Sequence, residues 1–475
     1  TGDGQSGMTR GNSLDLYSRL DPWIVSRCAK GKSNAPAVIA TNPPFSGQKV
    51  ESQISDKSIL KSYAFGHSFK KNDSGKFVFS KNDDDILMHQ APELLFIERC
   101  IDWLKPGGRM GIVLPKGILD NVSYEAYREW IFDKCELLGV VTLHKDTFQP
   151  DTGVRTCILF LRKPKENEKL REDYNIFMAM SQRIGQDSKG NSVFVLDGNG
   201  NSTGVLNHDL NEIAEAYIDF MDGKEHKKSE YIFYVKKSEI KDHININPQH
   251  YSPKLNAALD DVLAFDNKEH WATTTVGQLE AGIRIYIGPR WNASNIKADN
   301  PTETSGLVPY LTANAALELR RFTIKWLDEA KANERQKQCI NMLKIQEGDI
   351  LISRSGTIGK VTYATKDLAK NYIVSDDLVR IRVKDANLRA YLLAYFTSAT
   401  ALSLMLLDEY GSVQQHLQPR HIQEMLIPVP DDWSLAKDMI DAGNMFIKAM
   451  EDMSKADKKI RTQGFDDLIK EYKMD

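Results

Sequence analysis

The sequence predicts an α/β protein: a largely parallel sheet with helices on its faces, then a second, mixed α/β unit and a terminal helix. Two observations carry this. Between residues 35 and 162 short apolar runs alternate with stretches of helical periodicity. Charge-rich tracts at Lys224–Lys228 and Lys236–Asp242 then precede a fresh start at about 246. Residues 35–41 read as a short buried strand ending in a Pro-rich turn. Residues 86–104 read as a helix, with Leu87, Leu94, Leu95, Ile97, Ile101 and Leu104 at helical spacing. Pro92 either kinks that helix or marks its first turn. Lys105-Pro106-Gly107-Gly108 ends it. Gly111–Pro115 is a buried strand, a second helix covers about 123–135, and Leu137–Leu143 and Thr156–Arg162 are further strands. Phe177–Gln182 and Ser192–Leu196 flank Asp187–Asn191, which reads as a hairpin turn, and 207–221 as a helix. Beyond 246 the strands are Asp349–Ser353, Leu378–Val383 and Met425–Pro430, with a buried helix at 389–406. A charged amphipathic helix follows Pro430, with Ile440, Phe446, Ile447, Met450 and Met453 on one stripe. The domain boundaries expected are 1–245, 246–430 and 431–475.

Composition narrows the function classes. At ~150 residues per domain, a chain of 475 residues suggests about three units or two large ones. Sixty-two Lys and Arg against 65 Asp and Glu leave a net charge of −3. That excludes a wholly basic, histone-like binder but not a local basic groove. Five scattered cysteines, with no CxxC and no zinc-ligand spacing, point to a reduced cytosolic protein without a structural metal. Residues 1–12 are Gly-rich and polar, unlike a signal peptide. The most apolar stretch, Tyr391–Leu407, is too short and too polar to span a bilayer and reads as a buried helix.

The sharpest motif is Thr41-Asn42-Pro43-Pro44-Phe45 at the end of a strand. Asn-Pro turns are common, but Asn-Pro-Pro-Phe is expected by chance only about 0.002 times in a chain this long. Open α/β sheets place their sites at the carboxyl ends of strands. The motif resembles the catalytic motif of amino-group DNA methyltransferases. The stretches Leu104–Asp120 (LKPGGRMGIVLPKGILD), Arg128–Ile131 and Thr147–Thr156 (TFQPDTGVRT), with the Ile184–Gly190 hairpin, extend the likeness. Over about residues 5–235 the chain resembles the modification subunit of type I restriction enzymes. The resemblance implies a partial Rossmann-like class I methyltransferase sheet and adenine-N6 methylation from S-adenosylmethionine. An exocyclic amine is a poor nucleophile because its lone pair is delocalised into the ring. The Asn42 side-chain oxygen and the Pro43 carbonyl could accept its hydrogens and favour a more tetrahedral nitrogen. The prolines, Pro44 included, stiffen the loop. Phe45 offers a face for a base flipped from the duplex.

One departure from the family stands out. No strand with a Gly-rich donor loop precedes the motif, and Gly2–Gly7 has no strand before it. Met8–Leu14 resembles instead a later strand whose tip contacts the donor's adenine, with Asn12 where Asp is often found. The expectation is a chain that begins inside the methyltransferase domain, with an incomplete S-adenosylmethionine site; the alternative is a compact variant with a rearranged site.

Residues 246–430 resemble a target-recognition domain of the type I specificity subunit. The stretches that carry this are Ile345–Lys360, Val374–Arg382, Tyr410–Pro419 and Ile427–Pro430. Arg354, Ser355, Thr357 and Lys360 lie in a Gly-bearing loop that could approach DNA phosphates, or be a plain β-turn. Gln414, Gln415 and His416 could read bases or decorate a surface. Arg284, Arg290, Arg320, Arg321 and Lys325 are further cations with no evident grouping. Three functions are open: a DNA adenine-N6 methyltransferase with its own recognition domain, a DNA-recognition module that does not methylate alone, and methylation of a protein glutamine. The fused recognition domain argues against the last. The partners implied are double-stranded DNA and a restriction subunit or an upstream nuclease or methyltransferase segment, in the bacterial cytoplasm. The stripe after Pro430 either covers its own domain or pairs two copies into a homodimer.

Overall fold

A computed structural model describes residues 11–28, 35–46, 50–224, 229–240, 244–279, 282–298, 306–318, 324–355, 357–406 and 417–463. The chain divides into two compact units, Thr1–Pro253 with Tyr410–Val413, and Lys254–Glu409 with Gln414–Asp475.

In the first unit β1 (Val38–Thr41) is followed by helix α1 (Pro92–Trp103), β2 (Arg109–Pro115), helix α2 (Glu125–Lys134), β3 (Glu136–Thr142), β4 (Thr156–Arg162) and β5 (Asn175–Met180). Then come β6 (Phe194–Leu196), β7 (Ser202–Leu206), helix α3 (Leu210–Met221) and β8 (Ile232–Lys236). The main sheet has the order β1-β2-β4-β3-β5-β8. It is less parallel than expected. Pairs β1–β2 and β3–β5 are parallel, but β4 runs against both its neighbours and β8 against β5. The cause is local. A helix lies between β1 and β2 and between β2 and β3, so those strands keep one direction. Only a loop joins β3 to β4, and a strand returned by a loop reverses. The carboxyl ends of β1, β2, β3 and β5 therefore share one edge of the sheet with the amino end of β4.

α1 starts at Pro92, which occupies the first turn, where its missing N–H costs nothing. Its Leu94, Leu95, Ile97 and Ile101 pack with Met110, Ile112 and Leu114 of β2 and Ile131 of α2. Full burial of such a side chain is worth about 1.5–3 kcal/mol. On the other face Val141, Phe177 and Ala179 meet Ile213 and Ala216 of α3, and Phe160 stacks on Tyr217 at 4.5 Å. At the opposite end of β3, Glu136 is fully buried between Arg162 and Arg171, with contacts of 2.8–2.9 Å. Burial alone would raise its pKa; the two guanidiniums hold it down at about 2.

The hairpin around Asp187 is smaller than expected. Its turn is closed by the Asp187 carboxylate, which accepts from the Lys189 and Asn191 amides. The flanking strands part, however: β5 joins the main sheet, whereas β6 pairs with β7.

The second unit contains β9 (Trp271–Thr275), β10 (Arg284–Ile287), α4 (Glu334–Met342), β11 (Ile350–Ser353), β12 (Val361–Tyr363), β13 (Leu378–Arg382), α5 (Ala386–Phe396), α6 (Ala399–Met405), α7 (Pro419–Glu424), β14 (Leu426–Pro430) and α8 (Lys437–Gln463). An antiparallel sheet has the order β10-β13-β11-β12, and β9 pairs with β14. Lys297–Ala298, Lys325–Leu327, Val308–Leu311 and Ile373–Val374 form a smaller sheet. The single helix expected at 389–406 is two helices, because Ser398 caps a new one by accepting the Ala401 amide. α8 lies on α5. Ile440 is buried, and Phe446, Ile447 and Met450 pack against the same core as Ala390 and Tyr391. A Cβ built on Gly443 would stand 2.0 Å from the Ala390 carbonyl oxygen, so only glycine allows this approach. The stripe thus covers its own unit. This is the first of the two arrangements expected for the stripe; the structure gives no support to the homodimer expectation.

Candidate functional site

β1 delivers the Asn-Pro-Pro-Phe loop to the carboxyl edge of the sheet. Thr41, the last residue of β1, is in register with Ile112. Asn42 is exposed, and its carboxamide makes no hydrogen bond among the described residues. Pro43 is buried, Pro44 exposed and Phe45 half-buried. The far side of the loop is tied down by Ser46, whose amide donates to Glu93 at 3.1 Å and whose hydroxyl donates at 3.3 Å. Glu93 lies in the first turn of α1, and burial raises its carboxyl pKa. A strand on one side and a buried carboxylate on the other hold Asn42 and the Pro43 carbonyl on a short, proline-stiffened span.

The loop between β3 and β4 brings a second aromatic ring to the site. Phe148 meets Phe45 edge to face, with centroids 6.3 Å apart and planes at 82°. The Phe148 turn is gathered from below by Gln186. Its amide nitrogen lies 2.6 Å from the Asp146 carbonyl, 3.1 Å from that of Gln149 and 3.3 Å from that of Thr147. Gly190 packs on Pro150, where a Cβ would come within 2.8 Å of the proline ring. The Asp187 hairpin is therefore a brace for the Phe148 turn. Neither Phe148 nor Gln186 stands out in the sequence as a site residue, although both lie in stretches that carry the family likeness.

At the end of β2, Lys116 is buried with its ammonium 3.3 Å from Gln249, and the Asn247 amide donates to Asp120 at 2.8 Å. Burial raises the Asp120 carboxyl pKa, opposed by Lys116. Arg128 is fully buried and donates to the carbonyls of Ile118, Asn121 and Ile244 at 2.7–3.0 Å. It fixes the 118–121 turn rather than facing a ligand.

Asn12 is exposed, in a turn where its side-chain oxygen accepts the Leu14 amide at 3.1 Å. The strand expected before it falls partly on residues outside those described. Among the described residues no Gly-rich turn follows a strand of this sheet, so they do not themselves assemble a cradle for a nucleoside donor.

In the second unit Arg354, Ser355, Thr357 and Lys360 lie between β11 and β12. Arg354, expected to face phosphates, is buried instead, its Nε donating to the Leu417 carbonyl at 3.2 Å. Ser355 is half-buried, and Thr357 and Lys360 are exposed. The loop is shaped by Ser353, whose hydroxyl donates to the Thr357 carbonyl and accepts the Lys360 amide. Gln414, Gln415 and His416 lie outside the described residues.

The family model described as N-6 DNA methylase matches residues 27–257. The one described as type I restriction modification DNA specificity domain matches residues 290–436. Over 134 residues the chain is 26% identical to the type I restriction enzyme EcoEI methylase subunit of Escherichia coli, covering 28% of this chain and 22% of that one. The type IIG restriction endonuclease BpuSI shares 12% identity at a TM-score of 0.33, covering 86% of this chain and 49% of that one. The HsdS subunit from Thermoanaerobacter tengcongensis shares 16% at a TM-score of 0.27, covering 43% and 46%. The chain thus spans less than half the length of each of these relatives.

Proposed function

We propose, from the matches of residues 27–257 to N-6 DNA methylase and of residues 290–436 to the type I restriction modification DNA specificity domain, that this chain acts in site-specific methylation of adenine N6 in duplex DNA. The observation that carries the proposal is the loop at the end of β1, with an exposed, unbonded Asn42 carboxamide beside two perpendicular aromatic rings. The proposed roles follow from the geometry. The Asn42 oxygen and the Pro43 carbonyl accept the two hydrogens of the target amine. That draws the lone pair out of conjugation and needs no strong base. Phe45 supports the flipped base by its face and Phe148 confines it by its edge. The methyl donor proposed is S-adenosylmethionine; the described residues do not themselves assemble a cradle for it. In the second unit the proposed DNA contacts of this loop are Thr357 and Lys360, both of which are exposed. The proposed division is 1–245 for the methylase part and connector, 246–430 for recognition and 431–475 for the terminal helix. A restriction subunit is the proposed partner and the cytoplasm the proposed location.

A second reading is that this chain recognises DNA but methylates only with another polypeptide. Calorimetry with S-adenosylmethionine separates the two. Micromolar binding by the chain alone supports the self-sufficient enzyme. No binding, with methyl transfer restored by a partner, supports the second reading. The overall proposal is tested by radiolabelled methyl transfer to duplex DNA, with N6-methyladenine as the expected product after digestion.

A further inference from the structure

One face of the β10–β13 ladder carries more positive charge than its carboxylates balance. In the antiparallel register Arg284 stands opposite Arg382, and Tyr286 opposite Arg380. Directly opposed side chains share a face, and like charges there repel. Arg382 is committed: it spans the buried Asp349 with two contacts of 2.8 Å and donates to the Tyr286 hydroxyl at 2.6 Å. Arg380 is fully buried and donates only to backbone carbonyls, among them Met342 at 3.1 Å and Val374 at 3.0 Å. Arg284 is exposed, and no carboxylate among the described residues forms an ion pair with it. Lys344, also exposed, contacts the neutral side chain of Asn341 at 2.9 Å. Of these four cations only Arg382 is in hydrogen-bond contact with a carboxylate among the described residues, that of Asp349.

Arg284, Tyr286, Arg382 and Lys344 line an open cleft of about 810 Å³ between β10 and the end of α4 with the segment after it. Among the described residues no acidic one lines it, and Gln346 and Gln423 add amide groups at its walls. β10 is also the terminal strand of its sheet among the described residues. A wide cleft with two exposed cations, Arg284 and Lys344, and with amide groups at its walls suits an extended chain of oxyanions.

We propose that this cleft holds a phosphodiester stretch of the DNA bound by the second unit. Arg284 and Lys344 neutralise phosphates, while Arg382 is held in the wall of the cleft by Asp349 and Tyr286. The inference rests on the reading of this unit as a DNA specificity domain and assigns a surface within it. Arg354 offers no such contact, because its guanidinium is turned inward.

The test is fluorescence anisotropy of the full chain with a labelled mixed-sequence duplex, across a range of salt concentrations. Arg284→Gln and Lys344→Gln should each lower the slope of log affinity against log salt by about 1, and the double variant by about 2. Lys448→Gln, an exposed cation on α8, should leave the slope unchanged. A wild-type chain that binds while the cleft variants keep its slope overturns the cleft. Equal losses from Lys448→Gln overturn it too, since the cations would then act without regard to place. A wild-type chain that does not bind the duplex overturns the specificity-domain reading itself, and the cleft with it.

Discussion

Replacing Phe148 by alanine asks whether the ring that meets Phe45 belongs to the base pocket. The two planes stand at 82° with centroids 6.3 Å apart, so a base lying flat on Phe45 presents its edge, not its face, to Phe148. A stacking face is worth about 1–3 kcal/mol and an edge-to-face contact about 0.5–1.5 kcal/mol. At 1.4 kcal/mol per decade, Phe45→Ala should lower kcat/KM for methyl transfer about 5- to 150-fold, and Phe148→Ala about 2- to 12-fold. The rings also touch each other, so the double variant should lose less than the two single losses combined, with a coupling of about 0.5–1.5 kcal/mol. The assay is radiolabelled methyl transfer to duplex DNA by the four proteins, in whatever assembly is active. DNA affinity at fixed salt serves as the control and should change little. A Phe148→Ala variant with wild-type kcat/KM, or strict additivity with Phe45→Ala, would refute the shared pocket.

Two further expectations concern stability. Glu136 has its pKa lowered from 4.5 to about 2 by Arg171 and Arg162, against its burial. A depressed carboxylate stabilises above its unfolded pKa and loses that contribution as pH falls through the folded value. Wild type should therefore exceed Glu136→Gln by on the order of 3 kcal/mol at neutral pH, and thermal melts should show the gap closing between about pH 4.5 and pH 2; a gap independent of pH would contradict the ion-pair assignment. Gly443→Ala places a Cβ 2.0 Å from the Ala390 carbonyl oxygen, and denaturant unfolding should register a loss of about 1–3 kcal/mol from the forced separation of α5 and α8.

Much of the fold is legible in the sequence where structure is local. Pro92 marks the start of α1, and the Lys105–Gly108 breaker marks its end because Gly107 takes a positive φ of 76° there. The strands at 109–115 and 156–162 are visible as continuous apolar runs. What is hidden depends on contacts between distant segments. The reversed β4 could have been inferred from the absence of a helix between 142 and 156, but alternating strands and helices upstream suggest the opposite. Arg354 follows a strand in a Gly-bearing loop, which reads as a ligand-facing cation. Its carbonyl partner on Leu417 is 63 residues away, so no local pattern reveals the burial. Phe148 meets Phe45 across about a hundred residues for the same reason. Arg284 reads as one of several scattered cations until strand pairing and the end of α4 bring it to one cleft with Lys344 and Arg382.

The central claim is that the Asn42 carboxamide accepts a hydrogen from the target amine. Asn42→Ala removes an exposed side chain without hydrogen bonds among the described residues, so folding should be unaffected and duplex affinity retained. Loss of one pre-organised transition-state partner should lower the methyl-transfer rate about 10²- to 10³-fold. Single-turnover transfer of a radiolabelled methyl group to duplex DNA, with binding measured on the same preparation, is the direct measurement. A fall of that size with unchanged binding is the expected result. Near-wild-type transfer by the variant would contradict the account.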